Sequence, residues 1–109
     1  MSDLDPETFD SRKYVEDFPK LQRAYKNAFE TMNDAYDSEL VHAIDQRVLN
    51  ESEPLYEDGA FRIDLPENPH DRVTDAGVLV DEEKLSGTLD RYVDEIEAEL
   101  RSVFDLDGE

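Results

Sequence analysis

Eight apolar residues, Leu85, Leu89, Tyr92, Val93, Ile96, Leu100, Val103 and Phe104, fall on one stripe about 120° wide at helical spacing, while Arg91, Asp94, Glu95 and Arg101 fall off it. A stripe of that length demands one long amphipathic helix whose apolar face is covered by something else. Asp81 caps it, and Glu82 and Glu83 place negative charge against the positive end of the helix dipole. At about 1.5 Å per residue the helix runs roughly 33 Å, longer than a core of this size needs. Its cover is therefore either the N-terminal half of the chain or a partner, and Leu89, Ile96 and Leu100 are the positions where a partner would meet it.

The N-terminal half supplies the first candidate cover. Asp5-Pro6-Glu7 places a capping carboxylate before a proline at a favoured first helical position, which predicts a short helix carrying Phe9, Tyr14 and Val15 inward. Phe18 precedes Pro19, which disfavours α geometry at Phe18 and predicts a new helix from Pro19 to about Tyr36. Its stripe is Leu21, Tyr25, Ala28 and Met32, widened by Phe29 and Tyr36. Asp37-Ser38-Glu39 starts another helix, to about Asn50, with Leu40, Val41, Ile44 and Val48 within about 100° of arc.

After Pro54 the apolar period changes from helical to alternating. Phe61, Ile63 and Leu65 alternate with Arg62 and Asp64, the pattern of a strand with one buried face. Leu55 and Tyr56 precede Glu57-Asp58-Gly59, and Asp-Gly between apolar segments is a strong hairpin signal because glycine accepts positive φ. A lone hairpin is marginal in water and needs a third strand or a helix. Val78-Leu79-Val80 is the available third strand, reached through a long irregular connection from Pro66 to Gly77. The fold class expected is α+β: an N-terminal helical pair, a small antiparallel sheet and the long C-terminal helix. They form one domain over residues 1–109, with residues 1–5 and 106–109 frayed.

Charge constrains the surface more than the fold. Sixteen Asp and fourteen Glu against seven Arg and four Lys give a formal net charge of -19 in 109 residues. The acids are spread from Asp3 to Glu109 rather than gathered in a tail, so they read as a solvated surface around a core. Like charges about 14 Å apart on such a surface repel across a Debye length of about 10 Å at 0.1 M salt, and hardly at all at 1 M, where it is about 3 Å. The surface is matched to high salt. Nothing near Met1 resembles an export signal and no apolar run approaches the roughly 20 residues of a membrane span, so a cytoplasmic protein without membrane contact is expected.

Chemistry is sparsely signalled. Cysteine is absent, which excludes thiolate metal sites and disulfides. Glu39-x-x-His42, followed by Asp45, is the best metal candidate, because residues three apart share a helix face; diiron bundles need two such motifs and further glutamates. His70 with Asp71 supplies a base and an orienting carboxylate without a nucleophile, and no Gly-x-Ser-x-Gly elbow or phosphate-binding glycine loop occurs. Arg12, Lys13, Lys20, Arg23 and Lys26 form the only basic concentration; Asp10, Glu16 and Asp17 dilute it, which argues for ion pairing on helices and against direct nucleic-acid binding. No cofactor is expected. The connection from 66 to 77, with Asn68, His70, Asp71 and Arg72, is the other candidate partner surface.

The segments LQRAYKNAF, YDSELVHAIDQRVLNESEP, LPENPHDR and GVLVDEEKL resemble a small uncharacterised protein family of halophilic archaea, over essentially the whole chain. The resemblance implies a cytoplasm rich in potassium chloride and carries no activity. The function expected is a non-catalytic protein-protein interaction or regulatory subunit, with self-association or a protein partner. The alternatives are a metal protein or enzyme using Glu39, His42 and Asp45, and an acidic mimic that sequesters a basic protein.

Overall fold

The computed structural model describes residues 6–57 and 60–104, and within that range the chain forms five helices and one two-stranded sheet. In order these are α1 (Pro6–Arg12), α2 (Phe18–Ala35), α3 (Ser38–Arg47), a 3₁₀ turn at Leu49–Glu51, β1 (Glu53–Glu57), β2 (Ala60–Asp64), α4 (Pro69–Asp75) and α5 (Glu82–Val103). The Asp5 cap, the Asp58-Gly59 turn and the two chain ends expected to fray lie outside the described residues.

Two caps form as their sequences require. The Asp37 carboxylate accepts from the Glu39 amide at 3.0 Å, and that of Asp81 accepts from the Lys84 amide at 2.7 Å, each satisfying an orphan donor of the first turn. At the start of α2 the expectation is corrected. Phe18 itself is helical, and the Asp17 carbonyl accepts from Lys20 and Leu21, so Pro19 falls where its missing N–H costs nothing. At the other end of the helical pair, α3 stops at Arg47 and tightens into the 3₁₀ turn before Asn50.

The α5 stripe is covered by the chain itself. Leu85, Leu89, Tyr92, Ile96 and Leu100 are buried with Leu21, Ala24, Ala28 and Met32 of α2 and with Leu40, Val41 and Ile44 of α3 in one core. The proposed partner positions Leu89, Ile96 and Leu100 are thus interior, and α2 packs along α5 where a partner was considered.

The hairpin is antiparallel with Leu55 opposite Arg62 and Tyr56 opposite Phe61, and it carries Phe61 inward as its alternation requires. Only these two strands are present among the described residues. Val78-Leu79-Val80 is not a third strand. The Val78 amide donates to the Val73 carbonyl at 3.4 Å, and the His70 ring meets the Val80 carbonyl at 2.6 Å, so the segment is tied to α4 instead of the sheet. Gly77 makes that turn with φ of +92°, a conformation costly for other residues, and Leu79 is left 94% exposed.

Helices replace the missing strand as the hairpin's cover. Phe9 of α1 meets Phe61 edge-on with centroids 5.4 Å apart and Phe104, just beyond α5, at 5.5 Å. Tyr56 and Phe61 are 5.0 Å apart. These rings join α1, the sheet and the end of α5. The connection from 66 to 77 is likewise corrected, because it contains α4, opened by Pro69 and anchored by buried Val73.

Candidate docking cleft

The turn from Lys13 to Asp17 joins α1 to α2 and sends its side chains in opposite directions. Lys13 was expected among surface ion pairs, yet it is 1% exposed. Its ammonium reaches Glu53 at 2.7 Å, the Pro54 carbonyl at 3.0 Å and Asp10 at 3.0 Å, so all three donors are used. Burial alone would lower its pKa, but the hydrogen bonds and charges of Glu53 and Asp10 outweigh that and hold it above the usual lysine value. This cation locks α1 to β1. Arg12 with Glu16, at 2.7 Å, is the surface i,i+4 pair that the sequence suggests.

The same turn points its apolar residues outward. Tyr14 is 54% exposed, Val15 75% and Phe18 42%, which corrects the expectation that Tyr14 and Val15 enter the core. The Tyr14 and Phe18 rings are tilted against each other at 6.3 Å. They form one lip of a cleft of about 710 Å³ running between α2, the end of α3 with its 3₁₀ turn, and the start of β1. Leu21, Leu49 and Pro54 make its apolar floor, and Gln22, Tyr25, Lys26, Asp45, Asn50 and Ser52 add polar atoms to its walls.

The Tyr25 and Ser52 hydroxyls of the cleft are committed. Ser52 donates to the Leu49 carbonyl at 2.6 Å, so its one proton is spent and Tyr25, 3.1 Å away, is the donor in their mutual bond. Burial pushes the Tyr25 hydroxyl up to about 12, so it keeps its proton at neutral pH. Asp45 sits on α3, half-buried, and accepts a long hydrogen bond of 3.4 Å from Tyr92 of α5. Burial raises its pKa, and the Tyr92 hydrogen bond and the nearby His42 only partly offset this. The arrangement can hold a guest against rings and directed polar groups.

Asp45 gives the cleft a pH signature. Between the ordinary carboxyl value of 3.8 and the higher folded one, the native state holds more protons than the unfolded chain. Stability is therefore lost as pH rises through that window. The neutral Asp45→Asn variant keeps an acceptor for Tyr92 and escapes the loss. Urea unfolding should show it at least as stable as the parent at pH 7, with the advantage gone below 3.8. A variant less stable than the parent at pH 7 and equal to it in acid would reverse the sign argued here.

The metal candidates do not assemble. Glu39 and His42 are exposed, with His42 packed edge-to-face on Phe29 at 4.9 Å, while Asp45 turns toward Tyr92. Among the described residues no group of three or more His, Asp and Glu is placed to hold a metal ion. Asn68, His70, Asp71 and Leu89 do come together, around a second depression of about 420 Å³ between α4 and the first turns of α5. Arg72 is turned away, donating to the Glu67 carbonyl at 2.8 Å and pairing with Glu51. Ile96 and Leu100 do not border it.

Sequence reasoning identified Asp45 for its helical spacing to His42 and missed Tyr14, Phe18 and Tyr25 as cleft walls. The available signal was the helix start at Pro19, which sets Tyr14 and Val15 in the non-helical stretch before α2 rather than on its stripe.

The fold is thus a helical α+β core with a hairpin packed at one end, and it carries a cleft walled by aromatic rings. The chain belongs to a family of unknown function, DUF5783, whose profile matches residues 1–107. No curated protein and no solved structure matches it. Among the described residues no helix is long and apolar enough to cross a membrane.

Proposed function

We propose that this chain is a non-catalytic protein-interaction or regulatory subunit that docks a partner at the Tyr14-Val15-Phe18 lip and the cleft beside it. The observation that carries this reading is the exposure of those three side chains, neighbours in one short stretch of chain, on a surface otherwise rich in carboxylates. A soluble chain keeps such residues outward at the cost of their burial energy, and a cleft lined by rings and fixed hydroxyls gives a partner something to fill. The occupant is a protein segment with apolar anchors and basic flanks, since a net charge of -19 attracts cations and repels acidic surfaces.

The setting is the cytoplasm of a halophilic archaeon. Even spacing of acids, the preference for Arg over Lys and the family resemblance of the four segments support it. In molar salt the long-range attraction is screened, so the apolar lip has to supply most of the affinity.

The test is affinity capture in molar KCl with the parent chain and with a Val15→Ser/Phe18→Ser variant. Both positions are exposed, so the variant should fold with stability changed by no more than about 0.5 kcal/mol per site. A protein held by the parent and lost by the variant is the expected result. Equal retention by both chains, or none by either, would sink the proposal.

A further inference from the structure

We infer that the group entering the cleft is a lysine or arginine side chain of the docked partner, with Asp45 as its counter-ion and the Tyr14, Phe18 and Tyr25 rings as the wall for its alkyl stem. This rests on the docking reading and deepens it.

Three observations converge. Asp45 lies on the cleft wall, half-buried, and takes no part in the ion pairs found among the described residues. Its contact with Tyr92 is a neutral hydrogen bond at 3.4 Å, which leaves most of the carboxylate's acceptor capacity unused. Burial accordingly raises its pKa, the mark of a charge short of compensation.

The rings define the rest of the guest. Aromatic faces attract ammonium and guanidinium groups and pack against methylene stems. Lys13 already shows the pattern within the chain, with its ammonium 5.4 Å from the centroid of the same Tyr14 ring, approached from the interior. An anionic guest would meet Asp45 as a like charge, and a neutral apolar one would bury it without a partner. A single cation satisfies both rings and carboxylate.

The charged groups around the site set the sign of each substitution. Lys26 of α2 also lines the cleft, in none of the ion pairs found among the described residues, and a cationic guest must bind despite it. His42 lies one turn back on α3 and acts weakly on Asp45. Tyr25 and Tyr92 keep their protons at neutral pH and add no charge.

Nuclear magnetic resonance titration of the labelled full chain provides the test, using Nα-acetyl-lysine methylamide as probe and Nα-acetyl-norleucine methylamide as its uncharged counterpart. The lysine probe should shift the amide signals of Tyr25, Asp45, Asn50 and Ser52 saturably, and bind at least about tenfold more tightly than norleucine. Asp45→Asn should remove that preference, weakening the lysine probe and relieving the cost of covering a lone carboxylate with norleucine. Lys26→Met should tighten lysine binding by about threefold through loss of a like charge near the surface. Equal binding of the two probes, or an Asp45→Asn variant that keeps the preference, would overturn the inference. Cadaverine binding more tightly than the lysine probe would assign the site to a free amine and overturn the protein source.

The two readings fail separately. If capture of a partner depends on Val15 and Phe18 but is untouched by Asp45→Asn, the docking lip stands and the cationic guest does not. Loss of capture with each of the two variants supports both.

Discussion

Replacing Lys13 with methionine is expected to lower the unfolding free energy by about 3 kcal/mol, at the low end of the cost of breaking a buried ion pair. The ammonium is 1% exposed and its three donors go to Asp10, Glu53 and the Pro54 carbonyl. Methionine fills much of the volume but leaves those acceptors without a donor. Glu53 and Asp10 retain 46% and 68% side-chain exposure, so they rehydrate and hold the cost below that of two buried charges. The carbonyl of buried Pro54 has no such escape. Urea unfolding in low salt and in molar KCl is the measurement. An ammonium this buried is little reached by salt, and its bond to the Pro54 carbonyl is not an ion pair, so most of the loss should persist at high salt. A loss that disappears there would place Lys13 among ordinary surface pairs, worth about 0 to 1 kcal/mol.

Ile96→Ala is expected to cost about 2 to 5 kcal/mol, with an unchanged denaturant slope. Ile96 has no exposed surface and lies on the central turns of α5, in the core that α2 and α3 close over. Truncation removes buried methyl groups and leaves a cavity in a close-packed layer, which collapses only partly. A partner-facing residue behaves differently. Its truncation would leave the stability of the isolated chain within about 0.5 kcal/mol and weaken association instead. Equilibrium unfolding of the isolated chain separates the cases, and a change of that smaller size would mean that α5 is not covered as described.

Elements whose signals are local were readable from the sequence. The Asp37 and Asp81 caps, the α5 stripe and the alternation about Phe61 each depend on residues within a few positions of one another. α4 was hidden because seven residues with one buried side chain, Val73, give no measurable period. Its cue was Asn68-Pro69, a left-handed residue followed by a proline at the helix start, set within a proline-rich stretch that reads as loop.

Val78-Leu79-Val80 misled for the opposite reason. Its β propensity is high, but propensity expresses packing context, and here α4 takes the Val78 amide and the Val80 carbonyl. The cleft was largely illegible. Asp45 meets Tyr92 from 47 positions away and Lys13 meets Glu53 from 40, distances at which no periodicity speaks. Tyr14 and Val15 seemed to be core residues only because apolarity was read without the non-helical turn from 13 to 17 that faces them outward.

The contact between Phe9 and Phe104 also orders events in time. These rings lie nearly at opposite ends of the described chain, and both close on Phe61 in its middle, at 5.4 Å in each case. Bringing such distant positions together carries a large loop-closure entropy. Helices such as α2 and α5 have local contacts to begin from, whereas the hairpin end must wait for residues distant in sequence to reach it. A refolding chain therefore holds α1 and the hairpin with their aromatic faces uncovered until the end of α5 docks on them. Docking of Phe104 acts as the fastening that covers those rings.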